Sequence, residues 1–79
     1  MATLKIPVVR AVAGLPFFYK VVGSRPSEVS GLPPGLHWRW DGSGVVIEGK
    51  PYTLGSYDIA FKYSGTEEHF IIQIGREYG

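Results

Sequence analysis

Seventy-nine residues with a formal charge of +1, 44% apolar and 14% aromatic content describe one small domain, residues 1–79, near the lower limit for an unaided hydrophobic core. The absence of cysteine excludes a disulfide staple, a thiol nucleophile and a thiolate metal site. Eight Lys and Arg scattered among seven Asp and Glu exclude the basic stripe with which a protein tracks nucleic-acid phosphates.

The chain opens on Met1-Ala2-Thr3-Leu4-Lys5, without the long apolar run of a signal peptide, and Pro or Gly interrupts every apolar stretch well short of membrane-spanning length. If Met1 is native, synthesis in the cytoplasm without such a leader follows, and no membrane insertion is expected. Leu4, Ile6 and Val8 share one face of an edge strand that Pro7 breaks, because proline cannot donate to a ladder. Val9 to Val12 are expected to continue on the other sheet, and Ala13-Gly14-Leu15-Pro16 to turn the chain. Phe17 to Val22 form a strand rich in aromatic and β-branched residues, with Phe17, Tyr19 and Val21 on one face and Phe18, Lys20 and Val22 on the other.

Gly23 to Ser30 read as a polar loop with room for one short extended pair. Gly31-Leu32-Pro33-Pro34-Gly35-Leu36 follows, a stiff turn in which Pro33 and Pro34 restrict φ and Pro34-Gly35 suits the central pair of a type II turn. Leu36, Trp38 and Trp40 then alternate with His37, Arg39 and Asp41, and Asp41-Gly42-Ser43-Gly44 turns into the return strand Val45 to Gly49. After a corner at Lys50 to Gly55, Tyr57, Ile59, Phe61 and Tyr63 alternate along a strand, Ser64-Gly65-Thr66 turns, and Phe70, Ile72 and Ile74 line the last strand. Arg76 to Gly79 read as a frayed tail. No segment sustains a helical period, so the chain is all-β: a small antiparallel β-sandwich of about seven strands.

Four stretches in order resemble the bacterial Ig-like sandwich family related to the cadherin-like domains of dystroglycan. They are Ala11-Val12-Ala13-Gly14-Leu15-Pro16-Phe17-Phe18-Tyr19, Gly31 to Leu36, Gly44 to Pro51, and Gly55-Ser56-Tyr57-Asp58-Ile59-Ala60-Phe61. The resemblance implies an Ig-like sandwich. It also implies a spacer, adhesion or binding role of the kind such domains have in surface proteins and on phage particles. Calcium-binding relatives carry an Asp-rich loop before the Leu-Pro-Pro-Gly turn; here that loop, Gly23 to Ser30, contains no Asp.

Candidate chemistry is sparse. Glu67-Glu68-His69 is the densest polar cluster, and Glu67 and His69 would share a strand face, with His37 as a third group of the type zinc accepts. A charged hairpin end that keeps the sheet soluble explains the cluster without metal, and neither metal nor cofactor is expected. No Gly-x-Ser-x-Gly elbow or phosphate loop occurs, so no catalytic residue and no enzyme is expected. Pro33, Pro34, Gly35, Trp38 and Tyr57 are assigned structural roles, Tyr57 as a tyrosine corner. Trp40, beside a turn, is a candidate for stacking on a glycan or a peptide. Phe18, Val22, Val46 and Ile71 are apolar but out of phase with the core, and gathered on one outer face they would form a binding patch.

Two functions are expected from these features. The first is a non-enzymatic assembly module, self-associating or bound to capsid or tail proteins of a phage virion as a head-decoration or tail accessory protein. The second is a spacer, adhesion or carbohydrate-binding domain of a larger bacterial surface protein. The corresponding locations are a virion or a cell surface.

Overall fold

Period-two alternation is realised as strands throughout the structure, a computed structural model that describes residues 7–76. In chain order the strands are β1 (Val8–Val12), β2 (Phe17–Val22), β3 (Glu28–Ser30), β4 (Leu36–Trp40), β5 (Gly44–Gly49), β6 (Gly55–Tyr63) and β7 (Thr66–Gly75). They form two sheets, β1-β7-β6-β3 and β2-β5-β4. The neighbours β2-β5-β4 and β3-β6-β7 are those of the B-E-D and C-F-G strands of an immunoglobulin sandwich, so the fold is a small Ig-like all-β sandwich.

Among the described residues every ladder is antiparallel except β1 on β7, which runs parallel from Val8 opposite Ile71 to Val12 opposite Gly75. Val8 therefore belongs to the same strand and sheet as Val9 to Val12, and the expected change of sheet between them does not occur. Pairing begins at Pro7, whose carbonyl accepts the Ile71 N–H at 2.9 Å. Proline lacks only a donor, so it can end a strand through its acceptor. Leu4, Ile6 and the tail from Glu77 to Gly79 lie outside the described residues.

The alternating faces meet in one core of Ala11, Leu36, Val45, Ile47, Ile59, Phe61, Phe70, Ile72 and Ile74. Ile47, Ile59 and Ile72, from the three central strands β5, β6 and β7, are fully buried. Aromatic rings tie the sheets together. Tyr19 of β2 lies 5.6 Å from Phe70 of β7, and Phe70 stands edge-on to Phe61 of β6 at 5.5 Å. Such tilted contacts match the positive ring edge to the negative face.

Between β3 and β4 the chain leaves one sheet and enters the other through the turn singled out in the sequence. The Leu36 N–H donates to the Pro33 carbonyl at 3.2 Å, Gly35 has φ +93°, and Pro33 is buried. These are the marks of a type II turn with Pro34 and Gly35 at its centre. The turn is pressed onto the end of β5: the Lys50 N–H donates to the Gly35 carbonyl at 3.1 Å, and a Cβ at position 35 would collide with the Lys50 carbonyl oxygen. Gly42, in the β4–β5 hairpin, also has positive φ, +101°, but has open space around it. Gly35→Ala is therefore expected to cost about 3 kcal/mol or more, and Gly42→Ala only the backbone penalty of about 1–2 kcal/mol. Urea unfolding of the two variants measures the difference; equal losses would contradict the close approach at Gly35.

Candidate functional site

The outer faces of the two sheets carry the residues that the core does not use. On β2-β5-β4 the register places Lys20, Val46 and Arg39 side by side, with Phe18, Glu48 and His37 in the next row. Lys20 Nζ reaches across β5 to Asp41 Oδ2 at 2.7 Å and Ser43 Oγ at 2.8 Å. Arg39 Nε meets Glu48 Oε2 at 2.7 Å. Asp41 Oδ1 also accepts the backbone N–H groups of Ser43 and Gly44, at 2.9 and 3.0 Å, which closes the hairpin as an Asx turn. Lys20 foremost, then these backbone donors, hold the Asp41 carboxyl well below the ordinary carboxylate range.

This arrangement decides the fate of the out-of-phase apolar residues. Val46 lies outside the core cluster, on the outer face, yet is only 1% exposed. The aliphatic stems of the flanking Lys20 and Arg39 account for its cover, their charged heads remaining at the surface. Val46 is thus not available to a partner. Ile71 lies on the other sheet, opposite Val8 of β1 and Asp58 of β6, and is half-buried. The four residues therefore do not gather on one outer face. Phe18, 63% exposed, and Val22, 76% exposed, remain together on β2, two residues either side of Lys20.

Leu15, Tyr52 and Leu54 are further exposed apolar side chains that strand periodicity did not single out. They lie in the β1–β2 turn and the β5–β6 corner, which a hydrogen bond from the Gly14 N–H to the Pro51 carbonyl at 2.7 Å brings together. Their only signal in the sequence was large apolar residues inside turn segments. Trp38 and Trp40 are both half-buried and pack against the core, in phase with Leu36. Trp40 thus directs ring surface inward. The Tyr57 hydroxyl donates to the Thr53 carbonyl at 3.1 Å while its ring packs on the core, the geometry of a tyrosine corner.

On the outer face of the four-stranded sheet, His69 joins two carboxylates: Nδ1 lies 3.0 Å from Asp58 Oδ1 and Nε2 2.7 Å from Glu67 Oε1. Only a doubly protonated imidazolium donates at both nitrogens. The hydrogen bond to Asp58 foremost, helped by Glu67 and opposed by partial desolvation, raises the His69 pKa above its ordinary value. His37 is on β4, in the other sheet, so it does not join this cluster. Among the described residues no group of three or more His, Cys, Asp or Glu is placed to hold a metal ion.

Comparison of the chain with known proteins finds no matching family model, no matching curated protein and no matching solved structure.

Two predictions follow from the faces. Because the folded pKa of His69 is raised, its contribution to stability is complete below the unfolded value near 6.5 and is lost as pH rises through the folded value. Urea midpoints should fall across that window in the native sequence and should lose that dependence in His69→Gln. Val46→Ala, which empties a covered site, is expected to cost on the order of 2 kcal/mol, whereas Phe18→Ser, at a solvent-exposed position, should stay within about 0.5 kcal/mol. The reverse order in thermal or urea unfolding would show that Val46 is not under cover.

Proposed function

We propose that this chain is a non-enzymatic Ig-like assembly module that docks on a larger protein particle, with a phage virion, as a head-decoration or tail accessory protein, as its setting. The observation that carries the reading is the pair Phe18 and Val22, held on a rigid strand and left in solvent. Large apolar groups gathered at one strand face gain free energy from a protein partner that removes them from water. Leu15, Tyr52 and Leu54 extend the supply of exposed apolar groups to one end of the sandwich. The near-neutral formal charge of +1 suits contact with protein rather than electrostatic capture of a polyanion.

The setting rests on the resemblance of the Gly31 to Leu36 turn and the Gly55 to Phe61 strand to bacterial Ig-like domains, a kind also carried on phage surfaces. Trp40, the residue that would stack on a sugar, packs against the core, and this favours a protein partner over a glycan.

Density-gradient centrifugation of a lysate from the source, followed with an antiserum to the domain, tests the proposal. The domain is expected in the fraction of assembled particles, and the double variant Phe18→Ser/Val22→Ser should shift to the soluble fraction. Recovery of the native sequence only at the top of the gradient would overturn the reading.

A further inference from the structure

Among the described residues nothing pairs with the outer edge of β2. Exposed strand edges are ordinarily defended by short length, proline or an outward charge. β3 is three residues long, β1 is preceded by Pro7 and carries Arg10, and β4 is entered through Pro33 and Pro34 and presents His37. The defence of β2 is Lys20, but its ammonium group is drawn over the sheet to Asp41 and Ser43. The lysine thus leans away from the edge with its charge balanced, and Phe18 and Val22 flank it in solvent.

This pattern is self-complementary. A second β2 added antiparallel, with its outer face kept outward, has a register centred on Lys20. There Phe18 of each copy faces Val22 of the other, and Tyr19 of each faces Val21 of the other on the inner side. Centring on Tyr19 would set Phe18 against Lys20, and centring on Val21 would set Lys20 against Val22, so neither makes the Phe18–Val22 pairs. The sheet β2-β5-β4 is also one strand narrower than the sheet it faces. Pro7, at the start of β1, lines a 160 Å³ cleft together with Tyr19 and Val21, so the β1 margin of the wider sheet lies toward β2.

We propose that β2 is a self-association edge: two copies pair β2 against β2 about a two-fold axis through Lys20, joining two three-stranded sheets into one of six strands. The contact is isologous, each copy supplying the same edge. Backbone hydrogen bonds provide the affinity and the Phe18–Val22 pairs the register. Each Lys20 meets its symmetry mate with Asp41 already at its own ammonium, and a formal charge of +1 per chain adds little repulsion. A six-residue edge is small beside standard protein interfaces, so the pair is weak in dilute solution and strengthens where copies are held side by side. The inference rests on the assembly reading and names one of its contacts.

Because the chain has no cysteine, introduced thiols report the register directly. Lys20→Cys places two thiols across the axis, at the Cα separation of about 4.5–5.5 Å of opposed strand residues, which a disulfide spans. With oxidised glutathione as oxidant, Lys20→Cys is expected to form a covalent dimer about ten-fold faster than Gln73→Cys, a thiol on the outer face of the other sheet. An equimolar mixture of Phe18→Cys and Val22→Cys should give the mixed dimer, while neither variant alone links to itself. This second pair guards against misfolding of Lys20→Cys. Light scattering of the native chain should rise from 8.7 kDa toward twice that mass with concentration. Equal cross-linking at all positions with a constant 8.7 kDa overturns the paired edge. Self-linking of Phe18→Cys or Val22→Cys overturns the register. Neither result decides particle docking, which fails only if the native chain stays out of the particle fraction.

Discussion

The contact on which the sandwich depends is the backbone of Gly35 pressed against the backbone of Gly49 and Lys50. A chain that must cross from one sheet to the other between β3 and β4 has few residues in which to do so. Pro33 and Pro34 restrict φ before the bend, and Gly35 supplies the positive φ at its centre. A Cβ on Gly49 would collide with the Gly35 carbonyl oxygen, as one on Gly35 would with that of Lys50, so the two backbones meet without side chains between them. That contact sets Leu36 opposite Gly49 and with it the whole β4–β5 register. A slip of one residue would exchange Leu36, Trp38 and Trp40 with His37, Arg39 and Asp41 across the sheet.

Register, once set, decides the surface. β5 is the middle strand of its sheet, and its outward residue Val46 has long charged neighbours on both sides. Lys20 and Arg39 close over it and find carboxylates at 2.7 Å, so an apolar residue and two cations are accommodated by the same geometry. The free energy of such surface pairs is small. Their consequence here is positional: Lys20 is held over the sheet, and the edge it would guard is left with Phe18 and Val22.

The functional reading follows from rigidity combined with selective exposure. Ile47, Ile59 and Ile72 are fully buried on the central strands, the Tyr19–Phe70 contact crosses the core, and the Phe70–Phe61 contact braces β7 against β6. A strand built into that frame has little backbone freedom left to lose on binding, which lowers the entropic cost of a contact. The His69 cluster, by contrast, is a pairing within one sheet face, between Asp58 of β6 and Glu67 of β7, and its chemistry is that of a protonated bridge.

Local chemistry was legible in the sequence because it acts over two to six residues. The alternation along β2, β4, β6 and β7, the Pro34-Gly35 turn, the Asp41 to Gly44 hairpin and the Tyr57 corner each require particular residue types at short spacing, and all appear in the structure. The candidate binding residues were only half legible. Alternation identifies a residue that points away from the core, but not whether its cross-strand neighbours are long enough to cover it. Val46 and Phe18 have the same apolar, out-of-phase signature; Lys20 and Arg39 flank the first, whereas the second lies on a strand with one partner among the described residues. Ile71 was separated from Phe18 and Val22 because strand order places β7 in the other sheet. The parallel pairing of β1 with β7 was hidden for the same reason, since the side-chain period of two is identical in either direction. Sequence by itself determined the strands, their inward faces and their turns. Tertiary structure alone decided which outward residues are covered and which strands lie at the sheet margins among the described residues, because those depend on neighbours distant in the chain.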